Sequence, residues 1–355
     1  MTTNKLSLLF LLVFTSLISC KKNNSPAPVP PVVTTGVYTL NQGIFQQNNT
    51  MLTYYDFNSA TPTTDYFKTV NGFGLGDTGS DFIIYGGKLY IVMNVSGYVA
   101  VADAIGAKFR DTIDFKNAGV NRGPENIVGF GTNVFVSSTD GTVAVIDTSS
   151  LTIQKFITVG TNPAQMVVSG NNLYVSNTGG FSPSYDSTVS IIDLTSLTET
   201  GKITVGTNPG SIDADNAGNI YVACTGNYGS VSPSLVKVSL STNKVILSVD
   251  SAVGTIRYYN NEILTTGGYL GAANVGILNP GDFSAIRPSF VTDGTTIVNP
   301  YGLDIDPATG DVYVGDAKDY VSSGTVYCFD KTGKKKFSFS TSPGISPIRT
   351  QIIQQ

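Results

Sequence analysis

The chain of 355 residues contains no histidine. That absence removes at once the commonest general base, the Ser-His-Asp triad and imidazole ligation of a metal. Chemistry would have to rest on carboxylates. Of the 25 acidic residues only Glu125, Glu199 and Glu262 are glutamates, and no two of them form an obvious pair. A two-carboxylate mechanism of the glycosidase kind would therefore draw on aspartates, which mostly occupy turn positions. Asp304-Ile305-Asp306-Pro307-Ala308-Thr309-Gly310-Asp311 has the outline of a calcium loop, but its twelfth position is Gly315 where a bidentate Glu belongs. Pro, Asp and Gly in such a stretch close hairpins, and Ile212-Asp213-Ala214-Asp215 to Gly218 has the same form. Cys224 and Cys328 sit inside separate apolar runs and read as buried thiols, not as a disulfide or a metal pair. The expectation is a protein without cofactor or metal, and not an enzyme.

The elements that would have to position any site are strands. Asp outnumbers Glu, there are 38 Gly, and Thr, Ser, Asn and Val are abundant. Such a chain is rich in turns and poor in helix formers, and no amphipathic helix of useful length is visible. The formal net charge of -4, with no basic stripe, gives no nucleic-acid footprint.

The strands repeat. Thr158-Val159-Gly160-Thr161-Asn162-Pro163 recurs as Thr204-Val205-Gly206-Thr207-Asn208-Pro209, and equivalent prolines fall at Pro124, Pro163, Pro209, Pro300 and Pro347. The period lies in the mid-forties, the length of one four-stranded propeller blade. Within each period a short apolar strand follows the proline, then a turn and a second strand such as Leu89-Tyr90-Ile91-Val92 or Leu173-Tyr174-Val175, then a third that often ends in Asp, then a fourth. Full units begin near Gly79, Gly123, Asn162, Asn208, Gly254 and Asn299. Residues 37–71 supply second, third and fourth strands without a first, and Ser346 to Ile353 supply a first strand with nothing after it. Paired, they make a seventh blade and remove the open sheet edge. The fold predicted is all-β, a seven-bladed β-propeller with four antiparallel strands per blade, closed by pairing the C-terminal strand with the N-terminal blade.

Ahead of the propeller, Lys5 and the apolar run Leu6 to Leu17 form a signal-peptide core too short to span a membrane. Leu17-Ile18-Ser19-Cys20 resembles a bacterial lipobox, which makes Cys20 the lipidation site; the alternative is an ordinary signal peptide with an incidental cysteine. The domain plan is then a leader over 1–19, a lipidated Cys and Pro-rich tether over 20–35, and one propeller over 36–355. Four prolines in Lys21 to Thr35 favour an extended spacer of about 45 Å at about 3.1 Å per residue.

The units PAQMVVSGNNLYVSN, STVSIIDLTSLTETGKITVGTNP and GNIYVACTGN resemble the YncE-like, or YVTN-repeat, propellers from about Gly36 onward. Leu40 to Asp56, Phe67 to Gly72, Leu75-Gly76-Asp77 and Asp316 to Gly324 are similar to a branch of outer-membrane lipoproteins that includes surface cobalamin-binding proteins working with TonB-dependent transporters. The resemblance implies nutrient capture, with a corrinoid such as cobalamin as a named candidate ligand and such a transporter as partner.

In a propeller the loops between second and third strands, with those joining one blade's fourth strand to the next blade's first, crowd one end of the axis. Numbering the split blade as blade 1, these loops are short in blades 2 and 3 and lengthen in blades 4 to 7, where each brings a tyrosine: Tyr185, Tyr228, Tyr269 and Tyr320. Tyrosine offers a broad apolar face and one polar tip, suited to a large, partly polar ligand. Asn177, Asn227, Asp316 and Asp319 add hydrogen-bonding groups, as does Asn41 in blade 1, while Asp77, Arg122 and Tyr301 lie in the loops between blades. The tyrosines could instead merely cover loop backbone. Three functions remain open: a small-molecule-binding lipoprotein, expected to be monomeric; a protein-binding scaffold; and a His-independent lyase or glycan-active enzyme. The anchor is testable by itself. Cys20→Ala should yield a folded, soluble protein, and membrane association of that variant on fractionation would remove the lipid anchor from the picture.

Overall fold

The computed structural model describes residues 34–180, 184–267, 274–342 and 346–354; Cys20 and Tyr269 lie outside them. Seven four-stranded antiparallel sheets follow one another around an axis. Blades 2 to 7 occupy 79–114, 124–158, 163–204, 209–250, 253–287 and 300–340, each starting within one residue of the position read from the repeat. Blade 1 is the split one. Its strands are Pro347–Gln354 innermost, then Thr34–Asn41, Met51–Asp56 and Thr61–Thr63. Pro347–Gln354 pairs antiparallel with Thr34–Asn41, with Thr34 opposite Gln354 and Asn41 opposite Pro347.

The apolar pattern explains the packing. A second strand such as Lys88–Met93 is flanked by a strand on either side and covered by a blade on each face, so both sets of alternate residues are buried. Leu89, Ile91 and Met93 join Tyr38 and Leu40 of blade 1, while Tyr90 and Val92 join Val134 and Val136 of blade 3. Seven apolar clusters fill the seven interfaces between neighbouring blades. Each fully buried aliphatic or aromatic side chain contributes about 1.5–3 kcal/mol. Where blade 7 meets blade 1, Tyr55 stacks on Phe337 and Phe339 with ring centroids 4.9 and 4.7 Å apart.

The innermost strands form a second, polar ring of contacts. Asp81 of blade 2 accepts from the Ile127 N–H of blade 3, and Asn126 there accepts from Met166 N–H of blade 4. Ser211 of blade 5 donates to Gln165 of blade 4 and accepts from Ile256 N–H of blade 6, beside Asp213, which accepts from Tyr258 N–H at 2.7 Å. Asp304 of blade 7 accepts from Thr350 N–H at 2.7 Å, and Gln351 of blade 1 accepts from Ile84 N–H at 3.0 Å. The Arg257–Asp304 ion pair spans blades 6 and 7. Every interface is crossed.

Two local features depart from the sequence reading. The fourth strand of blade 1 is short, and a helix, Tyr66–Asn71, follows it. The Asp65 carboxylate accepts from Lys68 N–H at its start, Gly72 closes it at φ 80°, and buried Phe67 anchors it. Between blades 2 and 3, Lys116–Asn117 and Val120–Asn121 form a small hairpin turned by Ala118 and Gly119, both at positive φ.

Removing 346–355 strips blade 1 of its innermost strand and deletes Arg349, Thr350 and Gln351 from the axial ring. This truncation should abolish the cooperative thermal transition followed by circular dichroism. Removing 21–33 should shift it by no more than about 2 °C, since the strands of the seven blades begin at Thr34. Equal melting of the two truncations would contradict the closure.

Candidate functional site

Innermost strands start at the end of the axis where the second-to-third-strand loops turn, so that end carries the sequence-predicted residues. Several are consumed by the frame. Asn41 is buried at the end of its strand, and its amide donates to Met51 O and Thr53 Oγ1. Asn177 takes the matching place in blade 4, accepting from Gly160 N–H and donating to Thr188 and Ser190. Asp316 is buried and accepts from the N–H groups of Val298, Asn299 and Lys318, which pins the blade 7 loop. Asp77 accepts from Gln46 N–H and Thr78 and ties down the blade 1 loop. Asn227 closes its own turn through Gly229 and Val231 N–H, and Asp319 does the same with Val321 and Ser322. Arg122 pairs with Asp140 and lies over the Phe156 ring at 4.0 Å. These groups hold loops still, and most of their polar atoms are already engaged; the buried Oδ1 of Asn41 is without a hydrogen bond.

The tyrosines behave differently. Tyr185 meets Tyr228 edge-on across blades 4 and 5, with centroids 6.0 Å apart. Tyr301 meets Tyr320 edge-on at 5.6 Å and donates its hydroxyl to Gln42 of blade 1, and burial pushes its pKa up to about 12. Tyr228 is 57% and Tyr320 48% exposed, at φ 55° and 63°. Bulky residues rarely adopt this left-handed backbone, which costs of order 1 kcal/mol or more. Loop geometry thus holds two half-exposed ring-bearing residues in an unfavourable backbone conformation.

Sequence reading overlooked the apolar company of these tyrosines. Ile44 and Phe45 of blade 1, Val231 of blade 5 and Val321 of blade 7 are exposed on the same set of loops, and Val120 and Val298 project from loops between blades. The available signal was a bulky apolar residue within a polar run, as in Gly43-Ile44-Phe45-Gln46-Gln47-Asn48. Below these loops the axial channel holds two cavities of about 260 and 320 Å3, both lined by Arg257 and Arg349. Arg349 pairs with Asp304 at 2.7 Å and with Asp81 at 3.3 Å. Burial raises the pKa of Asp81 and of Asp213, against the arginines and backbone N–H groups that lower it. Among the described residues, no three His, Cys, Asp or Glu side chains are grouped to hold a metal ion, and no helix is long and apolar enough to cross a membrane.

The seven sheets define a seven-bladed β-propeller, a fold compatible with ligand binding or with an interaction scaffold. Residues 35–342 match the family described as "Domain of unknown function (DUF5074)", and the chain belongs to that family. No curated protein matches it. Among solved structures it is similar to a quinonprotein alcohol dehydrogenase-like protein of Bacteroides thetaiotaomicron, with a TM-score of 0.66 at 13% identity over 91% of this chain and 78% of that one. Hydrazine synthase of Kuenenia stuttgartiensis gives 0.58 at 19% identity over 69% and 74%. The WD40 propeller domain of Doa1 gives 0.58 at 13% over 79% and 86%. At these identities the likeness concerns the fold alone.

Glu125, at the loop end of the channel, accepts from Asn94 Nδ2 at 2.8 Å and is pushed up to about 7 by burial, with Asp81 adding repulsion. A folded-state pKa above the unfolded value of about 4.3 contributes stability that is complete below about pH 4 and lost as pH rises through 7. Urea denaturation at pH 5 and pH 8 should show wild type losing stability relative to Glu125→Gln across that window. Parallel pH profiles for the two proteins would contradict the shift.

Proposed function

We propose that the protein is a non-catalytic binding propeller, held at the outer membrane through Cys20, which captures a nutrient on its tyrosine-bearing loop end and passes it to a TonB-dependent transporter. The observation that carries this reading is the pair Tyr228 and Tyr320, half-exposed rings held at positive φ on loops tied by Asn227 and by Asp316 and Asp319. Strained, exposed aromatics on a rigid frame supply contact area that needs no ordering when a ligand arrives. The resemblance of Leu40 to Asp56 and Asp316 to Gly324 to cobalamin-binding lipoproteins makes a corrinoid the first ligand to test. A corrinoid's broad, partly polar surface suits tyrosine faces with hydroxyl tips.

A second reading, a protein partner on the same loops, is favoured by the exposed Phe45, Val231 and Val321. Calorimetric titration separates them. Cobalamin should bind wild type, and Tyr228→Ala or Tyr320→Ala should weaken binding by about 2 kcal/mol with little change in melting temperature. Tyr174→Ala, in a buried strand between blades 4 and 5, should lower stability instead. Full affinity in both loop variants would remove this end as the site, and absence of corrinoid binding with capture of an envelope protein would favour docking.

A further inference from the structure

At the opposite end of the axis, where first strands turn into second strands, an open cavity of about 900 Å3 spans blades 6, 7, 1 and 2. Tyr258 and Tyr259 form one wall, Ile305 and Pro307 another, and Ile105, 52% exposed, stands at the lip. Arg257 and Arg349 lie at its inner end and also line both channel cavities, so the opening leads onto the two guanidinium groups. None of the candidate ligand-binding residues read from the sequence lies here, although Asp304 to Pro307, read from the sequence as part of a hairpin turn, lines the cavity.

The polar groups around the cavity are nearly all engaged. Asp304 accepts from Arg349 and from Thr350 N–H. Asp306 accepts from Ala308 N–H and Thr309, and Asp103 pairs with Arg110. Gln351 bonds blade 2 in both directions. Deeper in the channel, both oxygens of Asp213 accept from strand N–H groups, as do both oxygens of Asp81. The exceptions are the buried Nε of Arg349, which makes no hydrogen bond, and Arg257. Its Nη1 donates to Ile256 O at 2.9 Å, and its approach to Asp304 is 3.6 Å, beyond hydrogen-bond reach. A guanidinium carries five N–H donors, and Arg257, which lines the cavity, uses only Nη1 in a hydrogen bond. Burial and the neighbouring Arg349 push the Arg257 pKa down, while Asp304, Asp213 and Asp81 act in the opposite direction without restoring it. Carboxylate and phosphate match the fork in geometry as well as charge.

We propose that this cavity is a second ligand site, taking a small molecule that carries a carboxylate or phosphate on a ring-bearing or apolar body. The anionic group sits on Arg257, and the body lies against Tyr258 and Tyr259 and under Ile105. The site is independent of the tyrosine loop end.

Calorimetric titration of the full chain with benzoate, phenyl phosphate and neutral benzyl alcohol tests it and distinguishes the two anions. Benzoate or phenyl phosphate should saturate one site on wild type while benzyl alcohol does not, and Arg257→Gln should weaken that binding by about tenfold or more, a difference of about 1.4 kcal/mol. Tyr228→Ala should leave it unchanged, which separates this site from the loop end. Should Arg257→Gln fail to fold, Ile105→Trp narrows the lip from an exposed position and should weaken the same probe. No binding of either anion, undiminished binding in Arg257→Gln or in Ile105→Trp, or loss of binding in Tyr228→Ala would overturn the proposal.

Discussion

A side chain of one innermost strand reaching a backbone N–H of the next is the interaction on which this molecule turns. Innermost strands of a propeller lie side by side without forming a ladder, so their inward N–H groups have no sheet partner. Left unpaired near the axis, each would cost about 1–3 kcal/mol. Asp81, Asn126, Ser211, Asp213, Asp304 and Gln351 answer that demand, one blade to the next. Arg257 and Arg349 offset the carboxylate charge this requires. The apolar clusters between blades supply most of the driving force, while the axial relay fixes how each blade is placed against its neighbour.

The blades were legible because burial on both faces of second strands forces long apolar runs, and because turns between them need Gly, Asn and Asp at fixed places. Split closure was legible for a similar reason: residues 37–71 lacked a first strand and Ser346 to Ile353 lacked everything else. The relay was not. Its members stand two or four residues beyond the blade's opening position, as Asn126 after Pro124 or Asp213 after Pro209, but their chemical types differ from blade to blade. A repeat that conserves a task through Asp, Asn, Ser and Gln leaves no uniform motif. The helix Tyr66–Asn71 escaped because six residues are too few to show a helical period.

At the loop end, residue type alone could not rank the candidate positions. Asn41, Asn177 and Asp316 looked as available as Tyr228, yet strand-end amides and carboxylates are where loop backbone finds its hydrogen bonds. Tyr228 and Tyr320 instead remain half-exposed, since a phenol cannot satisfy several N–H groups. At the other end, the shorter turns leave an open bowl over the arginines. The two ends of one axis thus differ in chemistry, with exposed tyrosines and apolar side chains on loops at one and paired arginines and aspartates at the other.

Antiparallel pairing of Thr34–Asn41 with Pro347–Gln354 on one side and Met51–Asp56 on the other also has a mechanical side. A pull arriving through the chain before Thr34 acts along the length of a strand held between two partners. Such loading strains all of the ladder's hydrogen bonds together instead of unzipping them one at a time. The strand that meets the load is the one whose neighbour closes the ring, so resistance to traction and closure of the fold reside in the same backbone pairing.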